Sequence, residues 1–170
     1  MDDKVKNSMK ICKEMLEMRK YKILDTLDER MFAQDTNGKR VLIFFCLEKK
    51  LNINTIKEYI IVLTDQKIDH AIVVFKEAIT SSAKKILTHI NKRIELFSSY
   101  QLQYNITNHR LYVPHIKMTL EDTNKIQKKF GKKFPIILFS DPVIAFHGYQ
   151  RGDFIKIIRK NDYITYKLVG

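Results

Sequence analysis

A chain of 170 residues, 45% hydrophobic and 29% charged, holds enough apolar material for a buried core and suits one or two domains. Its longest apolar run, Val41 to Leu47, is too short to span a bilayer, and "MDDKVKNSMK" lacks the apolar centre of a secretion signal. No membrane partner is therefore expected. The formal charge of +12 points to an anionic partner, nucleic acid first, although a chain rich in Lys, Ile and Asn throughout also reaches that value through base composition.

Val5, Met9, Cys12 and Leu16 recur at helical spacing among Lys and Glu, which predicts an amphipathic opening helix. No element is assigned between that helix and Val41. "VLIFFCL" reads as a buried strand, and Asn54 is expected to cap a helix burying Ile56, Tyr59, Ile60 and Leu63. "HAIVVF" (His70 to Phe75) is a second buried strand. Thr80 to Ser82 supply an N-cap for a helix to about Asn91, and "IELFSSY" (Ile94 to Tyr100) is a third strand. Strands alternating with helices imply a small α/β sheet that is at least partly parallel.

All three prolines and four of the five glycines lie in the last third, which sets a boundary near Asn105 to His109 and domains of 1–104 and 105–170. The charge follows suit: +7 from Ile106 onward against +5 over the longer remainder. "HRLYVPH" is expected to start extended and stay so before Pro114. Thr119 and Asp122 have capping-box spacing, and Gly131 suits a left-handed helix stop. Pro135 opens a short apolar stretch to Phe139. Asp141-Pro142 reads as cap and first position of a helical turn closed by Gly148. "DFIKIIR" and "YITYKLV", joined by "KND", form an antiparallel hairpin. The fold class is thus an α/β domain followed by a compact α+β domain ending in that hairpin.

The stretch "SDPVIAFHGYQRGDFIKIIRK" (Ser140 to Lys160) contains an Arg-Gly-Asp triplet and a Gly-x-x-x-Gly spacing. It lacks the Gly-Lys-Ser/Thr ending that cradles phosphates, and nothing directs export, so both features read as turn chemistry. Cys12 and Cys46 lie within apolar patterns and read as small buried hydrophobes, without the His partners of a zinc site. His109 and His115 are six apart with no third ligand, and His70, His89 and His147 are scattered, so structural roles are expected. No metal or cofactor is called for. Asp35 with Glu48 and Lys50 has the Asp…Glu-x-Lys pattern of some metal-dependent nucleases, although Asp-x-Lys recurs at Asp2 and Asp65. Lys125, Lys128, Lys129 and Lys132 share one helix face, with Lys133 beside them. The face is either solvated or set against an acidic surface or nucleic-acid backbone.

"ITNHRLYVPHIKMT", "FP", "DPV", "GYQRGDFIKIIR" and "YITYKLV" occur in the order and spacing of one family. Over this second half the chain resembles the fifth-largest subunit shared by eukaryotic RNA polymerases I, II and III, whose archaeal counterpart consists of this domain alone. Upstream, "NINTIKEY" and "AIVVFKEAITSSAKKIL" resemble the eukaryotic N-terminal jaw domain, with Ser81 in place of the family's Pro. The resemblance implies an architectural subunit with no catalysis, no small-molecule substrate and no cofactor. It implies a C-terminal domain packed on the largest polymerase subunit near other small subunits, and a jaw with a nuclease-like layout beside downstream DNA. A cellular member would be nuclear; one from a large DNA virus would work at a cytoplasmic replication site or in the virion. Ile136 and Ala145 stand where the family carries Arg, and "KND" is shorter than the family's loop, which alters individual contacts to the largest subunit. Tyr149, Arg151, Arg159 and Tyr166 are the expected docking residues. Thr80, Ser82 and Lys84 are the expected DNA-proximal residues. The competing readings are a nuclease using Asp35, Glu48 and Lys50, and a free-standing basic nucleic-acid-binding protein.

Overall fold

The computed structural model describes residues 3–27 and 29–170. They divide into two compact units, Met1–Asn105 and Ile106–Gly170.

The first unit begins with α1 (Asp3–Met18), followed by β1 (Tyr21–Leu27), β2 (Arg30–Asp35), β3 (Arg40–Phe45) and β4 (Lys50–Leu51). α2 (Ile53–Asp65), β5 (His70–Phe75), β6 (Ala78–Ile79), α3 (Ser81–His89) and β7 (Arg93–Ser98) complete it. Its main sheet has the order β1-β2-β3-β5-β7. β1, β2 and β3 are antiparallel neighbours, and β3, β5 and β7 run parallel. β3 and β5 are central strands buried on both faces, which is why they read as unbroken apolar runs. Leu42, Phe44, Ala71 and Val73 meet Ile56, Tyr59 and Leu63 of α2 and Ala83 of α3 in one core. Phe45 and Val74 point to the other face, beside Val5 and Ser8 of α1. Each large side chain withdrawn from water in this way contributes roughly 1.5–3 kcal/mol before entropy is counted.

The helix cap expected at Asn54 is two residues too late. Asn52 is the cap: its side-chain oxygen accepts the N–H groups of Asn54 (2.8 Å) and Thr55 (3.0 Å), so Asn54 already lies inside the first turn. Thr80 caps α3 as expected, accepting from the Ala83 N–H at 3.3 Å. The hairpin β1–β2 fills the stretch to which the sequence assigned nothing. β1 is an edge strand with Leu24 and Leu27 more than half exposed, and an irregularity between Ile23 and Asp25 breaks its alternation.

The second unit holds β8 (His115–Lys117), α4 (Leu120–Phe130), β9 (Ile136–Ile137), α5 (Pro142–His147), β10 (Phe154–Ile158) and β11 (Ile164–Val169). Its sheet order is β8-β10-β11-β9, with the antiparallel β10–β11 hairpin at the centre and β9 parallel to β11. Ile155 and Ile157 face one side, where they join Ile137, Ile144 and Val169 in a small core. The unit begins with a single 3-10 turn, Ile106–Asn108, followed by a second turn closed by Tyr112 N–H to His109 C=O at 2.8 Å. This corrects the expectation that "HRLYVPH" starts extended, because local backbone bonds take that segment before the strand begins at His115. Gly131 ends α4, but with φ +86° and ψ −177° rather than in the left-handed helical region. Gly148 does adopt that region, with φ 71° and ψ 25°.

Candidate interaction surfaces

The turn from Asp141 to Gly148 is built as its residues dictate. One Asp141 carboxylate oxygen accepts the N–H groups of Val143 (2.9 Å) and Ile144 (3.4 Å), and Pro142 occupies the first helical position, where no N–H is needed. α5 then buries Ile144 and Phe146. Tyr149 follows, half-buried, with its hydroxyl donating to the His115 carbonyl at 2.8 Å and its ring stacked on His147 at 5.0 Å. Burial raises the Tyr149 hydroxyl above its ordinary range. This expected docking residue therefore spends its polar group inside the unit.

Arg151 and Arg159 are exposed, and they lie at opposite ends of β10. Arg151 sits over the Phe139 ring at 5.2 Å, next to exposed Leu138 and Ile136. Arg159 closes the hairpin through its N–H to the Tyr163 carbonyl at 2.8 Å. Tyr166 lies mid-strand on β11, half-buried, with its ring against Phe154 (6.0 Å) and Phe130 (6.5 Å). The four residues thus spread along the hairpin and do not form one cluster.

The pairing register adds what the sequence reading missed. Ile116 lies opposite Lys156, Lys156 opposite Tyr166, and Leu168 opposite Ile136, so these side chains share the sheet face away from the Ile155–Ile157 core. Ile116, Ile136, Ile164 and Leu168 are 37–62% exposed there. Their signal in the sequence is the alternation within "PIILF", where Ile137 turns in while Ile136 and Leu138 turn out. Lys125, Lys128, Lys129, Lys132 and Lys133 all lie toward solvent, and Lys125 pairs with Glu121 at 2.7 Å.

In the first unit, Thr80 is anchored by its N–H to the Leu51 carbonyl at 3.0 Å, while Ser82 and Lys84 stand exposed on the first turn of α3. A helix N-terminus with a nearby cation suits a phosphate. Asp35 and Glu48 do not meet. Asp35 lies at the turn before β3, accepting the N–H groups of Asn37 and Lys39 at 2.8 Å each. Glu48 lies beyond the other end of β3, accepting from Asn52 and from the Thr55 hydroxyl. A strand of that length separates them by about 20 Å, against metal–oxygen distances of about 2–2.6 Å. They cannot share an ion, which removes the geometry on which the nuclease reading rested.

Four of the five histidines bond to partners within their own unit. His115 donates from Nδ1 to the Val113 carbonyl at 2.7 Å, His147 meets the Tyr112 hydroxyl at 3.0 Å, and His109 Nδ1 accepts the Leu111 N–H at 3.2 Å. His70 bonds Glu95 at 2.7 Å. Cys12 is fully buried and its thiol is pushed up to about 12, so it is a poor nucleophile.

The first unit is an α/β sheet, and the second is an α+β unit with an exposed apolar sheet face of the kind that partner proteins cover. The sequence model of "RNA polymerase Rpb5, C-terminal domain" matches residues 104–169. The subunit "rpabc1" of DNA-directed RNA polymerases I, II and III from Dictyostelium discoideum is 32% identical over 146 residues, covering 79% of this chain and 74% of its own length. The subunit RPABC1 from Caenorhabditis elegans is 33% identical over 144 residues, covering 79% and 68%. A putative DNA-directed RNA polymerase subunit of Invertebrate iridescent virus 6 is 29% identical over 181 residues, covering 95% and 97%. The chain belongs to the Rpb5 family of DNA-directed RNA polymerase subunits.

Proposed function

We propose that the chain is a non-catalytic, architectural subunit of a DNA-directed RNA polymerase. The observation that carries this is the extent of the match: 79% of the chain is more than the C-terminal unit alone holds, so the likeness reaches well into the first unit. In this reading residues 105–170 dock on the largest subunit and its small neighbours. The exposed sheet face of Ile116, Ile136, Ile164 and Leu168 supports that role, because an apolar surface of this kind gains most from being covered. Tyr166 lies within that face, Arg151 and Arg159 stand at the two ends of β10, and Tyr149 packs against the buried side of the sheet. Residues 1–104 act as a jaw, with Ser82 and Lys84 turned toward downstream DNA and Thr80 holding the turn that carries them. The cellular relatives favour the nucleus and the viral relative favours a viral replication site or the virion.

Affinity purification of the tagged chain from its native cells or infected cells, followed by mass spectrometry, tests the assignment. Stoichiometric recovery of the two large polymerase subunits is the expected result. Recovery of the chain alone, beside an intact polymerase, would overturn it. Ile136→Asp with Leu168→Asp should release the chain from the complex, whereas Arg151→Ala with Arg159→Ala should weaken it more mildly. A crosslinker at Lys84 should label DNA in an elongating complex.

A further inference from the structure

A hollow of about 520 Å³ opens at the end of the first unit's sheet where β5 and β7 begin. That volume is in the range of small-ligand sites. It lies at the opposite end of β5 from Thr80 and α3, so it is separate from the expected DNA-proximal turn. Four cationic side chains line it: Lys39 and Arg40 from the start of β3, Lys67 from the turn after α2, and Arg93 from the start of β7. Tyr21 and Ile68 supply an aromatic and an apolar wall.

The charge balance there is not closed by the protein. Asp69, the one carboxylate in the lining, is paired with Lys92 at 2.9 Å. Glu95, beneath the hollow, is taken by Arg19, His70 and Arg93. Among the described residues no carboxylate lies within ion-pair distance of Lys39, Arg40 or Lys67. Arg40 is steadied by a bond from Nη2 to the Gln66 carbonyl at 3.1 Å, which fixes its guanidinium at the rim. Lys67 adopts φ 53°, a backbone region that costs a branched or long residue about 1–2 kcal/mol and that Gly or Asn adopts more readily. That turn places Lys67 in the lining of the hollow.

We propose that this hollow binds a phosphate group carried by a nucleotide-sized ligand, held by Lys39, Arg40 and Lys67 with the remainder of the ligand against Tyr21 and Ile68. The ligand is held and not converted. Among the described residues of the lining, His70 is the one imidazole; its Nε2 bonds Glu95 at 2.7 Å and burial lowers its pKa. Two sources share this chemistry: a free nucleotide and the 5′-phosphorylated end of a single strand.

Isothermal titration of the full chain with pyrophosphate, the four ribonucleoside triphosphates, and single-stranded oligonucleotides with and without a 5′-phosphate tests the proposal. Lys39→Glu and Lys67→Glu are compared with Lys10→Glu, an exposed position on α1 with the same charge change. The expected result is saturable binding that falls at least tenfold in Lys39→Glu and Lys67→Glu and little in Lys10→Glu. Binding of triphosphates with no preference for the 5′-phosphorylated strand assigns the free nucleotide; the reverse assigns the strand end. No saturable binding of any probe, equal losses in all three variants, or equal binding of an acidic peptide would each overturn the proposal. The full chain's circular dichroism, unchanged in the variants, shows that a loss is not unfolding.

Discussion

Glu95 on β7 is the residue whose replacement tests the electrostatic account of the first unit. Its side chain is 11% exposed and accepts from Arg19 Nη2 at 2.9 Å, Arg93 Nη2 at 2.8 Å and His70 Nε2 at 2.7 Å. Burial alone would raise its carboxyl. The bond from His70 and the charges of Arg19 and Arg93 outweigh burial and bring it from an ordinary 4.5 to about 2. At about 1.4 kcal/mol per unit, that shift is worth about 3 kcal/mol of folding stability. Because the folded-state value is the lower one, this contribution is complete above 4.5 and is lost as pH falls toward about 2. His70 works in the same direction: burial lowers its pKa, so the unfolded chain takes up the proton first as pH falls below 6.5. Glu95→Gln keeps the shape and one acceptor but removes the charge that Arg19, only 5% exposed, bonds at 2.9 Å. The variant should be less stable by about 3 kcal/mol at neutral pH, with the gap closing between about pH 4.5 and 2. Urea unfolding followed by circular dichroism at a series of pH values measures this. A gap below about 1 kcal/mol at neutral pH, the range of an exposed ion pair, or a gap that does not close in acid, would refute the reasoning.

Three further outcomes concern the second unit, each read by urea or thermal unfolding. Asp141→Ala removes the cap of α5 and should cost about 1 kcal/mol, with Asp141→Asn recovering most of it. Gly131→Ala should cost about 1–3 kcal/mol although nothing lies within 4 Å of the added carbon, because the φ of +86° with extended ψ is close to glycine-only territory. Ile155→Ala opens the five-residue core and should cost about 2–5 kcal/mol; a smaller loss would mean that the core closes over the gap.

Local chemistry was legible in the sequence where local chemistry decides. The runs at Val41 and His70 read as buried strands because a strand buried on both faces needs no polar alternation. Asp141-Pro142 and Thr119 read as caps because the side chain and the N–H groups it serves lie within three residues of each other. The hairpin β1–β2 was not legible: its first strand is an exposed edge with an irregular register, so neither burial nor alternation marks it. Asn52 and Asn54 are both good caps, and only the helix start chooses between them. The turn at His109 rests on backbone bonds that leave little trace in side-chain type. The apolar sheet face needed the order β8-β10-β11-β9, because it joins Ile116 and Ile136 to Leu168 across strands that are not consecutive. The Arg19–Glu95–His70 group and the cationic hollow depend likewise on β5 lying beside β7, which brings His70 level with Arg93.

Helix α4 has no buried residue along its length, and Leu120 at its start is 78% exposed. It is held largely by its own caps and by Phe130 against Tyr166, so opening it uncovers little apolar area. Its amides should exchange with solvent far sooner than those of β10 and β11, at a free energy well below that of the whole unit. A partner that needed this segment in another position would meet slight resistance, while the central hairpin kept its shape. The unit thus combines a stiff frame with one adjustable part, and slowed exchange confined to α4 on assembly would report which part had been engaged.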